Sequence, residues 1–378
     1  MAFAKILPKA DAPGLDEGAP GYLTIDLSAL ARNYRRLSGL AGKAQVGGVV
    51  KADAYGLGAG EVTPVLYAAG CRHFFVAQFS EAMALRPQLP ADAQLFVLNG
   101  LLPGNEETCA DHDIIPVINS LEQWRRWVAT AKSHSRVLPA VLQLDTGMSR
   151  LGVPPEERHA LAAEVAAQAK VRVLFVMSHL ASADEPDCAQ NADQLNEMRR
   201  VAEEFPGFDV CFANSGGILL GADYHGKLAR PGIALYGGNP NTGAPNPMEP
   251  VVSLDVAVVQ TRTVPAGAKV GYSGTFVTER ETRLATIAAG YADGLPRSLS
   301  NRGAVYHGET RLPIVGRVSM DSITIDVTAL PEGTLSLGSR VEVIGPHQSI
   351  DDLARDAGTI SYEILTSLGR RYLRQYRR

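Results

Sequence analysis

Lys51-Ala52-Asp53-Ala54-Tyr55-Gly56-Leu57-Gly58-Ala59-Gly60, "KADAYGLGAG", follows the apolar run Gly47-Gly48-Val49-Val50. A short apolar strand running into a glycine-rich turn opens a βα unit, and two architectures are built from such units. A doubly wound open sheet usually carries G-x-G-x-x-G after its first strand. Here the glycines stand at 56, 58 and 60, so that spacing is absent. The alternative, a closed (β/α)8 TIM-type barrel, places its chemistry where strands end, and the first strand ends on a lysine.

Outward from this turn, apolar runs alternate with helix-like segments between about residues 45 and 237. Eight runs, at 47–51, 73–77, 94–98, 115–118, 140–144, 173–178, 210–213 and 227–235, predict the (β/α)8 barrel over residues 21–249. Residues 1–20 are read as an N-terminal extension. "TIDLSALARNYRRLSGLAG" (24–42) predicts a short strand and a helix with Ser28 as N-cap. After the Gly/Pro/Asn-rich boundary "GGNPNTGAPNPMEP" (237–250) the texture changes to β-branched runs, which predict a C-terminal mainly-β domain over 250–378. Helices beginning near Ser349 and Ser361 are expected to close it, with the basic ending Arg370–Arg378 as a solvated helix end.

Composition narrows the function classes. The 378 residues are 46% hydrophobic and 20% charged, with a net charge of -4, as in a soluble globular protein without a nucleic-acid-binding face. Cys71, Cys109, Cys188 and Cys211 lie far apart without metal-ligand spacing, so neither a zinc site nor a disulfide framework is expected. The N-terminus, broken by Lys5, Pro8 and Lys9, does not form a signal core, and no run approaches a membrane span. A cytoplasmic protein with no metal, no nucleic acid and no membrane partner is expected.

The strand ends carry Lys51, the segment Asp145–Arg150, His179, Asn214-Ser215-Gly216-Gly217 and Arg230-Pro231-Gly232. An amine leaving an apolar strand is partly desolvated, which favours the neutral form that makes Schiff bases. From position alone Lys51 reads equally as an exposed loop lysine, and His179 equally as a satisfied core histidine. A hydroxyl and close-approaching backbone N–H groups at Ser215 and Gly232-Ile233 stand where barrels hold phosphate. A strand-end lysine with such a cradle points to pyridoxal 5'-phosphate, a phosphorylated aldehyde held covalently.

"VVKADAYGLGA", "LDTGMSRLGV", "MSHLASADE", "ANSGG", "ARPGIALYG", "VGYSGTF", "GYADGLPR", "GRVSMD" and "SYEILTSL" resemble, in order and over nearly the whole chain, the motifs of the alanine racemase family. The resemblance implies interconversion of L- and D-alanine by two bases on a pyridoxal phosphate aldimine, for D-alanine and peptidoglycan supply or for alanine catabolism. It makes Lys51 the cofactor lysine and assigns phosphate contacts to Tyr55, Ser215, Gly232, Ile233 and Tyr362, beside the cap residue Asn214. Arg230 is matched to the group facing the pyridine nitrogen, and Arg150 to a contact of the ring oxygen and substrate. Tyr272 becomes the second base, given from the partner subunit of a homodimer, bonded by His179, which Arg230 holds in turn. Met320 and Asp321 are implied to line the substrate site from the partner subunit, the Met320 N–H taking the carboxylate. Asp184, Tyr291, Arg297, Arg317 and Ile360 are implied along the substrate's access channel.

Two positions depart from the family pattern. Gln143 replaces a lysine that becomes carbamylated and braces the equivalent of Arg150, so activity independent of carbon dioxide is expected; Cys211 replaces a histidine beside Arg230. Other readings are a racemase of broader specificity, acting on serine for example, a barrel-type amino-acid decarboxylase, or a pyridoxal phosphate carrier. Tyr272 and Arg230 count against the decarboxylase, and the domain after the barrel counts against the carrier.

Overall fold

The computed structural model describes residues 18–134 and 136–378, so most of the expected N-terminal extension lies outside the described residues. Two compact units appear: Leu30–Glu249, and the described residues up to Ala29 together with Pro250–Arg378. Strand β1 (Gly21–Asp26) therefore belongs to the second unit and not, as the 21–249 boundary has it, to the barrel. The reason is pairing across a long stretch of sequence, which local pattern does not reveal.

The first unit runs β2 (Gln45–Val46), β3 (Gly48–Val49), β4 (His73–Val76), β5 (Gln94–Val97), β6 (Ile115–Ile118), β7 (Leu138–Gln143), β8 (Val171–Met177), β9 (Val210–Cys211) and β10 (Leu228–Ala229). Strands β3 to β9 form one parallel sheet in sequence order, and β10 pairs in parallel with β2. Backbone bonds from Lys227 to Val210 (2.6 Å) and from Arg230 to Ala213 (2.8 Å) join β10 to β9, while Gln45, Gly47 and Val49 donate to Lys227, Ala229 and Pro231. The ring is thus closed, with β2 and β3 as one strand interrupted at Gly47. Its strands read as continuous apolar runs because both faces are covered; Phe75 stacks on Phe96 at 4.6 Å between centroids. The first and eighth runs form shorter strands than expected: Lys51 lies beyond β3, and Ile233–Tyr236 is a 3-10 turn.

The second unit holds β1, β11 (Val252–Val264), β12 (Lys269–Val270), β13 (Phe276–Val277), β14 (Thr282–Ile287), β15 (Ala304–His307), β16 (Thr310–Pro313), β17 (Ile323–Asp326), β18 (Arg340–Ile344) and β19 (Leu373–Arg377). Its main sheet contains the order β16-β15-β18-β11-β1-β19, with β14 and β17 branching from β11. β1 is antiparallel to β11 and parallel to β19. The basic ending is therefore a strand and not a helix end, since the second edge of β1 offers a full row of backbone partners. The helix Ile350–Ala357 starts at Ser349, whose Oγ accepts from Asp352 N, and Ser361–Ser367 follows it. The earlier helix spans Leu27–Leu40 and is capped by Asp26, not Ser28: Asp26 Oδ1 accepts from Ala29 N at 2.7 Å. Among the described residues no helix is long and apolar enough to cross a membrane.

Candidate active site

Lys51 is followed by four residues, Ala52 to Tyr55, with φ between +53° and +57°. This left-handed turn of L-residues costs about 1–2 kcal/mol per residue and persists only where its surroundings hold it. Ala54 N donates to Val50 O (2.9 Å), Gly56 N to Ala52 O (2.7 Å), and Gly58 N to Asp53 O (2.9 Å). Asp53 Oδ1 accepts from Ala59 N at 2.7 Å, and Ala52 N donates to Glu81.

The turn delivers Tyr55 to the end of β10. Its ring packs on Tyr236 at 4.7 Å, and Tyr236 Oη donates to Val49 O at 2.9 Å. A Cβ at position 232 would overlap Tyr55 Oη, so glycine is required there by close approach. Ser215 Oγ accepts from Gly232 N (2.9 Å) and Ala234 N (3.3 Å), which fixes the turn holding Ile233. Asn214 caps the short helix Ser215–Leu220 through Gly217 N and donates to Leu180 O. Tyr55, Ser215, Gly232 and Ile233 thus gather into one buried cradle.

Cations surround Lys51. Burial lowers its amine pKa first, Arg150 and Arg230 lower it further, and Glu81 opposes them. Arg230, 3% exposed, donates to the carbonyl and Sγ of Cys211, both at 2.8 Å, and to Ser178 O at 2.6 Å. Burial raises the Cys211 pKa, so the neutral thiol and carbonyls seat the guanidinium. Among the described residues no hydrogen bond joins Arg230 to His179 as expected; Arg230 donates to the carbonyl of Ser178, the residue before His179, and acts on the ring through its charge. Burial, Arg230, Arg150 and Lys51 push His179 down to about 3, so the ring is neutral. Gln194 braces this strand end, donating to His179 O (2.9 Å) and accepting from Ala181 N (2.8 Å).

Arg150 projects from a loop wound on Asp145, whose Oδ1 accepts from Gly147, Met148 and Ser149 N. Gln143 is buried in β7, and among the described residues no hydrogen bond joins it to Arg150. Asp184 is exposed, its carbonyl taking the N–H and hydroxyl of Thr242.

The remaining expected residues lie in the second unit. Tyr272 occupies the turn between β12 and β13, is 70% exposed, and makes no hydrogen bond among the described residues. Gly290 packs so closely on the carbonyls of Ser319 and Met320 that a Cβ would overlap both, while Tyr291 N and Ala292 N donate to those carbonyls at 3.0 Å. Asp321 is bound by Arg371 (2.6 Å), which also clasps the buried Asp293 through two bonds of 2.6 and 2.7 Å. Met320, Ile360 and Tyr362 are exposed, Arg297 is exposed, and Arg317 is half-buried. Glu81, Gln194, Tyr236 and Arg371 were not singled out by sequence reasoning; only Glu81 had a signal, as the third residue of the helix Phe79–Leu85.

Chemically, an amine whose pKa is lowered by burial, a hydroxyl-lined cradle and two neighbouring guanidinium groups fit an anionic aldehyde. The family model for the alanine racemase N-terminal domain matches residues 25–240, and that for the C-terminal domain matches 251–376. The chain belongs to the alanine racemase family. It is 69% identical over 361 residues to a catabolic alanine racemase of Rhizobium johnstonii, covering 96% of each chain. Against another from Agrobacterium fabrum it is 62% identical over 95% of this chain and 92% of that one. Among solved alanine racemase structures, that of Bartonella henselae with covalently bound pyridoxal phosphate matches at TM-score 0.91 and 44% identity, over 95% of this chain and 99% of that one. The biosynthetic alanine racemase of Pseudomonas aeruginosa matches at TM-score 0.90 and 34% identity, over 95% and 100%.

Proposed function

We propose that this protein is a pyridoxal phosphate-dependent alanine racemase using Lys51 and Tyr272 as its two bases. The observation that carries the reading is Lys51: an amine pushed toward its neutral form by burial and two guanidinium groups, in the same unit as the cradle of Tyr55, Ser215 and Gly232. The catabolic names of the relatives at 69% and 62% identity favour a role in alanine breakdown.

Bound pyridoxal phosphate supplies an electron sink that acidifies the Cα–H of an amino acid attached to it. Tyr55 Oη, Ser215 Oγ and the Ile233 N–H would hold the phosphate, with Tyr362; Gly232 lets the backbone come close while its own N–H fixes Ser215, and Asn214 keeps the Ser215 turn in place. Arg230 faces the ring nitrogen; a permanently charged guanidinium gives up no proton there, which keeps carbanion character short-lived and suits racemisation. Lys51 Nζ moves the proton on one face of Cα, and Tyr272 Oη moves it on the other. One base cannot serve both faces, since the proton leaves one side and returns on the opposite side.

Arg150 and the N–H of the partner subunit's Met320 orient the substrate carboxylate, the partner subunit's Asp321 lines the site, and Asp184, Tyr291, Arg297, Arg317 and Ile360 are assigned to the access channel. The Tyr272 hydroxyl is unengaged among the described residues, and we assign it to a site shared across a homodimer, where the partner subunit's Tyr272 faces Lys51. His179, uncharged, is placed as the neighbour of that tyrosine. The enzyme is cytoplasmic, and Gln143 frees it from any need for carbon dioxide.

A coupled assay for D-alanine from L-alanine, repeated with serine, lysine and arginine, tests the substrate; faster racemisation of another amino acid than of alanine would sink it. Mixing inactive Lys51→Ala and Tyr272→Phe subunits restores activity if sites are shared, because a mixed dimer rebuilds one complete site. No restoration after subunit exchange overturns the shared site.

A further inference from the structure

Glu81 belongs to the helix Phe79–Leu85 that follows β4, yet it does two things. Oε2 accepts from Ala77 N and Gln78 N, both at 2.9 Å, which is ordinary capping of a helix start. Oε1 leaves the helix and accepts from Ala52 N at 2.5 Å. Capping explains the first oxygen only.

The Ala52 N–H opens the left-handed turn, immediately after Lys51. Of the four turn residues, Ala52 is the one tied to another βα unit by this bond. Arg150, Arg230 and Glu81 act on the Lys51 amine through their charges, and Lys51 acts on His179; of these groups Glu81 alone is negative. Asp53, inside the turn, spends Oδ1 on Ala59 N.

We propose that Glu81 is a positioning residue: its carboxylate clamps the strained turn behind Lys51 and sets a negative charge beside that amine. The clamp ties the first strand end to the second, so the amine is held from behind by backbone and not by its own side-chain contacts. The charge keeps two neighbouring guanidinium groups from driving the amine neutral at every working pH, so it can both accept and return a proton. This rests on the reading of Lys51 as the reactive amine.

The discriminating substitution is Glu81→Gln. A glutamine offers one acceptor oxygen and turns its NH2 toward N–H donors that a carboxylate accepted, and it removes the charge. Two readouts in the cofactor-free protein test it. In the first, amide exchange in residues 50–57 is followed by mass spectrometry; exchange at Ala52 rises about tenfold or more in Glu81→Gln, with the melting temperature as a check on global folding. In the second, acylation of Lys51 by acetic anhydride is followed against pH, with Lys43 and Lys227 as internal references. The midpoint moves to lower pH in Glu81→Gln and lies between the two in Glu81→Asp, which keeps the charge but withdraws it by one methylene. Unchanged exchange in 50–57 together with an unmoved midpoint overturns the proposal, and should Glu81→Gln not fold, an unmoved midpoint in Glu81→Asp does so. Full activity of Lys51→Ala would instead sink the reading of Lys51 itself.

Discussion

Arg230, Ser215 and Gly232 of the barrel unit are buried and bonded to neighbouring backbone or side chains, whereas Tyr272, Met320 and Ile360 of the β unit stand largely in solvent. Both sets rest on a tight backbone: a left-handed turn with Glu81 on one side, and Gly290 jammed against Ser319 and Met320 on the other. The difference lies in what the side chains touch. The barrel half holds its side chains in buried hydrogen bonds, while the β half leaves Tyr272, Met320 and Ile360 exposed. Substitutions in the barrel half should therefore disturb cofactor hold and stability, and those at the exposed positions of the β half should act on rate alone.

The largest expected effect is that of Lys51→Ala, a fall in racemisation on the order of 10^4-fold or more, with loss of the covalent cofactor's absorbance. Tyr272→Phe comes next, lowering the rate about 10^2–10^4-fold while absorbance and melting temperature stay those of the wild type; a large thermal shift would show that Tyr272 also stabilises the fold. Gly232→Ala weakens cofactor retention about tenfold or more by displacing Tyr55, measured by equilibrium dialysis. Arg371→Ala breaks the comparison in the other direction: it leaves Asp293 buried without its cation and costs about 2 kcal/mol after allowing for the arginine's exposure, read by denaturant titration.

His179→Asn tests the barrel half through pH and not through rate. The folded ring is held near about 3 against its ordinary 6.5, so between those values the unfolded chain takes up a proton that the folded one refuses. Stability then falls as pH drops through that window. The variant loses this slope, and the gap between melting temperatures at pH 7.5 and 4.5 narrows. An equally steep slope in both proteins would refute a neutral His179.

The barrel was legible because parallel strands covered on both faces read as apolar runs, as Ile115–Ile118 does. The strand at β1 was expected, but not its place in the β unit, and β19 was read as a helix end, since their pairing joins residues more than three hundred positions apart and local propensity carries no trace of it. Lys51 and Tyr55 could be picked out, but not the turn between them, because no L-residue favours φ near +55°. Glu81 looks in sequence like any capping glutamate, and its second oxygen reveals its reach only once β3 and β4 are side by side.

β1 also fixes an order of events during synthesis. The barrel unit is contiguous, from Leu30 to Glu249, and can fold as soon as it clears the ribosome. β1, made before it, must keep its edges unpaired until β11 and finally β19 emerge, a delay of about ten seconds to a minute at roughly 5–20 residues per second. An open strand edge of that kind attracts wrong partners, so chains released before β19 is made are expected to aggregate more readily than the full chain.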